Sequence, residues 1–283
     1  MSLTEQQVRF FDLFGYLSLP GLFAEEAESI TQAFDEVWEE HGGGHNNRAH
    51  DNEQNSALLP FIDQHPYLCA LLDDERVEGI GASLVGEDFN YMSSDGNYFV
   101  GDTVWHSDGY NRAPGYLSIK LAFYLDAAGR DSGCLRVVPG SHRRGEVYAE
   151  AVHETIPTSG SNNSDKNWGI PGREVPAVAL EVKPGDLVIF NHRIKHASYG
   201  GGLRRRMFTV NLQERFRDDD EDLLRECIGS LAGFWYKRVY SPLMVESAGT
   251  ARMRHLEQRL AHADHLPELV ARAREKMSEP SRF

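Results

Sequence analysis

Residues 116–125, YLSIKLAFYL, alternate between two unlike faces. Leu117, Ile119, Leu121, Phe123 and Leu125 form one face, wholly apolar; Ser118, Lys120, Ala122 and Tyr124 form the other. A period of two commits the stretch to a β-strand laid against a hydrophobic layer, because a helix would scatter those five residues around its circumference. Such a strand needs neighbours, and the following sequence supplies them. CLRVVPGSH, PAVALEVKPGDLVIFNH and RRRMFTVNLQERF are short, β-rich and broken by Gly, Pro, Asp and Asn. From about Asn90 this is the pattern of a β-sandwich or closed barrel.

The flanks read differently. Thr4 followed by Gln7 is a capping box opening a first helix that ends near Gly15. YLSLPGLF reads as a short strand stopped by Pro20-Gly21, and Ile30, Phe34 and Trp38 then recur at helical spacing before a run of glycines. GGGHNNRAHDNEQNS is a polar loop and PYLCALLDDERVEGIGASLVG a helical stretch. After Asp218 the chain is helical and charged again, with GFWYKRVY read as helix core or interface. No repeat, low-complexity tract or linker divides it. The expectation is one domain over 1–283, with a mainly helical part (1–89), a β core (90–217) and C-terminal helices (218–283).

Composition narrows the function. A formal net charge of −14 disfavours nucleic acid or an anionic membrane as partner. No apolar run approaches the ~20 residues of a membrane span, and the charged N-terminus does not read as a signal peptide. Cys69, Cys134 and Cys227 are scattered, odd in number and without a CxxC, which suits a reducing cytoplasm. The partner expected is a small molecule, for a chain that is a monomer or homo-oligomer.

The chemistry starts at VWHSDGYNRAPGY, residues 104–116. Residues i and i+2 of a strand point the same way, so His106 and Asp108 can present two metal ligands to one face. Alone, this pair is as well explained by a surface turn. Two imidazoles and one carboxylate hold non-haem iron while leaving coordination positions open. The third ligand would come from a later strand, where PGDLVIFNHRIKH offers His192 and His196. Small residues and the cluster Arg204–Arg206 follow, and an arginine there can clamp a carboxylate through two N–H groups.

In order, TVWHSDGY, YLDAAGRDSGCLRVVPGSHRRG, VKPGDLVIFNHRIKHAS and RRRMFTVNL resemble the phytanoyl-CoA dioxygenase family of iron(II)- and 2-oxoglutarate-dependent oxygenases. The resemblance begins at LTEQQVRFFDLFGYLSLPGLF and runs from about Leu3 to Phe216. It implies a mainly β fold, a double-stranded β-helix (jelly-roll, cupin-like) packed against N- and C-terminal helices. It implies Fe(II), 2-oxoglutarate and O2 as cofactor and co-substrates, with hydroxylation of an unactivated C–H bond of a metabolite and release of succinate and CO2. His106, Asp108 and His196 match the iron ligands; Ser198 and one arginine of Arg204–Arg206 match the 2-oxoglutarate contacts. The loop before that arginine is slightly shorter than in the family, so strand parity chooses among the three. Phe208, Val210 and Leu212 form an apolar outer face, which turns Met207, Thr209, Asn211 and Arg205 inward and leaves Arg204 and Arg206 exposed.

Lys120, inward by the same parity, is a candidate contact for 2-oxoglutarate or substrate, and as readily a strand lysine reaching to solvent. Asn97 and Thr103 are candidate lining of the co-substrate pocket, and Tyr110 and Arg112 candidate substrate contacts. His192 and His142 read as structural. Two rivals remain: a non-catalytic relative of the fold, and a cupin-like metal protein that needs no 2-oxoglutarate. Halogenation is disfavoured because Asp108 fills the position a halide would take. Specificity is expected in the loops Gly42 to Ala57 and Ala151 to Arg173 and in the C-terminal helices.

Overall fold

A computed structural model of the chain describes residues 2–109, 113, 115–156, 166 and 168–282. Within them, ten strands form two antiparallel sheets. They are β1 (Tyr16–Leu19), β2 (Ser56–Leu58), β3 (Asn90–Phe99), β4 (Thr103–His106), β5 (Ser118–Tyr124), β6 (Leu135–Val137), β7 (Val178–Leu180), β8 (Leu187–Asn191), β9 (His196–Ser198) and β10 (Arg205–Gln213). The larger sheet runs β1-β8-β5-β10-β3-β2 and the smaller β4-β9-β6-β7. With helices flanking them, these sheets are the double-stranded β-helix expected.

The alternation of β5 is realised as written. Ile119, Leu121, Phe123 and Leu125 enter the main core together with Phe208, Val210 and Leu212 of β10. Phe123 and Phe208 stack at 4.6 Å between ring centroids. The cover comes from helix α2 (Ala27–Glu40), whose Ile30, Phe34 and Trp38 sit in the same cluster. Ala122, Tyr124 and Met207 face the other way, into the space between the sheets. The N-terminal helix α1 (Glu5–Phe14) carries the full capping box: Thr4 Oγ1 accepts from Gln7 N, and Gln7 Oε1 accepts from Thr4 N at 2.8 Å. It ends where Gly15 adopts φ +82°, a left-handed conformation that favours glycine.

YLSLPGLF forms the short strand expected of it, β1, which pairs with β8, while β2 pairs with β3, and these two strands are the edges of the larger sheet. Two expectations are corrected. PYLCALLDDERVEGIGASLVG is broken into α3 (Pro66–Cys69), a 3-10 turn and α4 (Glu75–Val85). Asp74 causes the break, extended at ψ 127° and accepting the N–H of Arg76 at 2.8 Å as an N-cap. GFWYKRVY is not a helix either. A 3-10 turn over Ser230–Phe234 stops at Trp235 with φ +65°, and Val239 and Tyr240 then drop into the main core. Among the described residues no helix is long and apolar enough to cross a membrane.

Candidate metal centre

β4 presents His106 because its neighbour Trp105 is anchored behind the sheet. Trp105 is fully buried among Val138, Val175, Ala197 and Tyr199, and its indole N–H donates to Gly172 O at 2.8 Å. Alternation then turns His106 to the interior. On β9, Ala197 packs in that same outer cluster, so His196 and Ser198 face inward. The register sets His196 opposite His106 and Ser198 opposite Thr103. The PGSH turn steadies this strand: Ser141 Oγ donates to Val138 O at 2.6 Å and accepts from Lys195 N at 2.8 Å.

The two imidazoles lie with ring centroids 4.2 Å apart. His106 Nδ1 is 2.8 Å from Val104 O, and His196 Nδ1 is 2.9 Å from Ile194 O. A carbonyl only accepts, so each Nδ1 donates and each ring turns its Nε2 toward the site, the atom through which imidazole would bind a metal. Asp108 Oδ1 lies 3.4 Å from His106 Nε2 and 3.7 Å from His196 Nε2. One ligand atom from each of the three residues falls within 4.8 Å of the others, the single such group among the described residues. Burial, with His106 beside it, pushes His196 down to about 3, so its ring is neutral at physiological pH. Burial opposes ionisation of Asp108, yet the neighbouring Lys120 ammonium outweighs it and holds the carboxyl well below the usual range.

Lys120 arrives from β5 in the opposite sheet and places Nζ 2.8 Å from Asp108 Oδ2. Its contact is thus a metal-ligand candidate. Arg205 is inward and only 7% exposed. Its Nη2 donates to Ser198 Oγ at 3.1 Å, while Nε and Nη1 are buried without a partner. Gly133 makes room for it, since a Cβ at that position would meet Arg205 Nη1 at 2.1 Å. Arg204 lies outward over the Tyr98 ring, 4.4 Å from its centroid. Arg206 is not the exposed residue expected, because its guanidinium donates to Asp126 and Asp35, each at 2.8 Å.

Asn97 is buried, opposite Met207 in register; its Nδ2 donates to Asp95 Oδ2 at 2.8 Å and its Oδ1 has no partner. His192 is not in the ligand group: its Nε2 is 3.1 Å from Asn211 Oδ1, and burial with Lys120 nearby lowers it to about 4. His142 is a turn residue pinned to α1 through Asp12 O at 3.2 Å. Tyr110 and Arg112 lie outside the described residues. The sequence reading missed Asp95, buried on β3 and accepting from Thr209, Asn97 and Asn211. Its signal was the polar alternation Ser93, Asp95, Asn97, which mirrors Thr209 and Asn211 across the β3–β10 pair.

The chain is similar in fold to proteins of known structure. The solved structure of SnoK, a non-haem α-ketoglutarate-dependent carbocyclase from nogalamycin biosynthesis, is 25% identical with a TM-score of 0.57, covering 79% of this chain and 90% of that one. HygX from Streptomyces hygroscopicus, solved with nickel and 2-oxoglutarate, is 18% identical with a TM-score of 0.59 over 76% of this chain and 89% of that one, a likeness of fold. The dioxygenase lolE1 of Epichloe uncinata is 33% identical over 84 residues, 30% of this chain and 27% of that protein. A short match to the SAMP motif over 217–230 falls on the helix Glu221–Gly229, whose Leu224 and Ile228 are buried in the fold. The phytanoyl-CoA dioxygenase (PhyH) family model matches residues 11–207, more than half of the sequence, and the chain belongs to that family.

Proposed function

We propose that the protein is an Fe(II)- and 2-oxoglutarate-dependent dioxygenase that hydroxylates an unactivated C–H bond of a small-molecule metabolite. The observation that carries this reading is Arg205, a buried guanidinium with two unpartnered nitrogens and its third bonded to Ser198, two residues from His196. An unpaired buried charge is costly, and a carboxylate arriving at that fork would satisfy it. The donor set fits iron equally well: two imidazoles and one carboxylate on a single face. When bound, Fe(II) and 2-oxoglutarate supply the oxidant, splitting O2 with release of succinate and CO2.

The chain's own part is positional. His106, Asp108 and His196 hold the metal from one side. Arg205 and Ser198 take the far carboxylate of the co-substrate, and Asn97 and Thr103 flank its path. Ala122, Tyr124 and Met207 are buried between the sheets and supply a largely apolar interior. Tyr110 and Arg112 follow Asp108 directly and are assigned to the substrate side. A metal protein independent of 2-oxoglutarate has no use for Arg205, and halogenation has no vacant carboxylate position while Asp108 is present.

The test is anaerobic titration of the Fe(II) protein with 2-oxoglutarate, followed by a metabolite screen under O2. A visible charge-transfer band, slow succinate formation without substrate, and a product heavier by one oxygen atom are expected. A reconstituted protein that shows no band and binds no 2-oxoglutarate refutes the reading. Products that lose hydrogen without gaining oxygen would replace hydroxylation by another oxidation.

A further inference from the structure

We propose that Lys120 is a positioning residue that makes Asp108 a one-oxygen ligand, occupying Oδ2 so that only Oδ1 is available to a metal. The inference rests on the functional reading above. The two oxygens of Asp108 have different surroundings. Oδ1 faces both imidazole Nε2 atoms, at 3.4 and 3.7 Å, and Oδ2 faces Lys120 Nζ, at 2.8 Å.

The lysine is built into the interior. Its side chain is 15% exposed, starts opposite Asn211 of β10, and runs past the Phe190 ring, with Nζ 5.9 Å from the ring centroid. A buried ammonium must be paired. Asp108 supplies the countercharge at contact distance, with the buried carboxylate of Asp95 the other acid of this interior. Asp95 is itself committed to Thr209, Asn97 and Asn211, which leaves Asp108 as the direct partner.

The consequence is one of coordination. A carboxylate free to turn can chelate a divalent ion through both oxygens. Here the second oxygen would take a position that 2-oxoglutarate or O2 requires. A cation close to a metal site also repels the metal, so its presence is not explained by tighter metal binding. It is explained by control of how Asp108 binds.

The experiment uses Co(II) in place of Fe(II), in the full chain, first without 2-oxoglutarate. Wild type, Lys120→Met and Lys120→Arg are compared by Co(II) affinity, visible d–d spectrum and melting temperature. Lys120→Met is expected to bind Co(II) about tenfold more tightly, having lost a neighbouring positive charge. Its d–d spectrum should change before any 2-oxoglutarate is added. Subsequent 2-oxoglutarate affinity should fall about tenfold, and Lys120→Arg should restore the wild-type spectrum by keeping a cation on Oδ2.

An unchanged Co(II) spectrum and affinity in Lys120→Met overturns the proposal. If only 2-oxoglutarate affinity falls, Lys120 contacts the co-substrate and the proposal is wrong. Weaker Co(II) binding with a lowered melting temperature would show a structural role and refute it too. Should Lys120→Met not fold, Lys120→Gln is judged by the same spectrum. A wild-type protein that binds Co(II) but no 2-oxoglutarate refutes the oxygenase reading, while the spectral comparison still decides the role of Lys120.

Discussion

Replacing Arg205 by alanine removes the fork that the proposed co-substrate needs while sparing the metal ligands. The side chain is 7% exposed, and a carboxylate bound to it would form an almost fully desolvated charge pair. Deleting one partner of such a pair costs about 2–5 kcal/mol, or roughly 30-fold to several-thousand-fold in affinity. Arg205→Lys should recover part of that, since an ammonium restores the charge but not the two-pronged geometry. Arg204→Ala loses a stacking contact worth about 0.5–1 kcal/mol with Tyr98, and its co-substrate affinity should not change. Arg206→Ala breaks pairs with Asp126 and Asp35 that are partly open to solvent, so it should cost about 1 kcal/mol of stability and no affinity. Isothermal titration of the metal-loaded variants with 2-oxoglutarate separates these cases. If Arg206→Ala or Arg204→Ala is the variant that loses binding, or if Arg205→Ala binds normally, the assignment from strand parity is wrong.

Asp108→Gly should abolish metal binding and product formation while far-UV circular dichroism stays native; an active variant would remove Asp108 from the site. Asp63 is fully buried, accepts from Tyr91 Oη at 2.6 Å and from Ser241 N at 3.2 Å, and is pushed by burial up to about 6 from 3.8. Because the folded protein holds this proton more tightly than the unfolded chain, the stabilisation is full below pH 3.8 and is lost as pH rises through about 6. Asp63→Asn cannot ionise, so urea denaturation should show its stability, relative to wild type, improving by about 2.5 kcal/mol between pH 4 and pH 7.5; a constant gap contradicts this. Phe208→Ala, which empties the stack with Phe123 in the main core, should cost about 3–5 kcal/mol in chemical denaturation, and a loss under 1 kcal/mol would mean the core is not packed as described.

Much of this was legible because a strand's period is unambiguous. Five apolar residues on one face of residues 117–125 and three on one face of β10 fixed which side chains look inward, and with them Arg205. His106 and Asp108 were legible as a pair, whereas His196 could be separated from His192 only by the family resemblance. The structure supplies the physical distinction: His192 is occupied by Asn211, and His196 has its Nδ1 on a carbonyl and turns its Nε2 toward Asp108. What stayed hidden was long-range. No local pattern announces that Lys120 reaches Asp108 from the opposite sheet, that Asp35 and Asp126 converge on Arg206, or that Tyr240 donates to Tyr91 O across the core. The break at Asp74 was legible in principle, since Asp is a favoured N-cap, but the apolar run around it hid the signal.

With only four and three residues, the edge strands β1 and β2 leave short open rows at the rims of the larger sheet, which makes the N-terminal segment a guard against self-association. Tyr16 to Leu19 occupy the backbone groups of β8, and Ser56 to Leu58 those of β3. A chain proteolysed near residue 60 would bare both rows at once, and open strand edges recruit other open edges. Synthesis from the N-terminus releases the guards first, long before β8 exists to receive β1. Until Phe190 emerges to meet Tyr16, the growing chain has one of its edge-covering strands unpartnered, so shielding of the sheet is complete only late in folding.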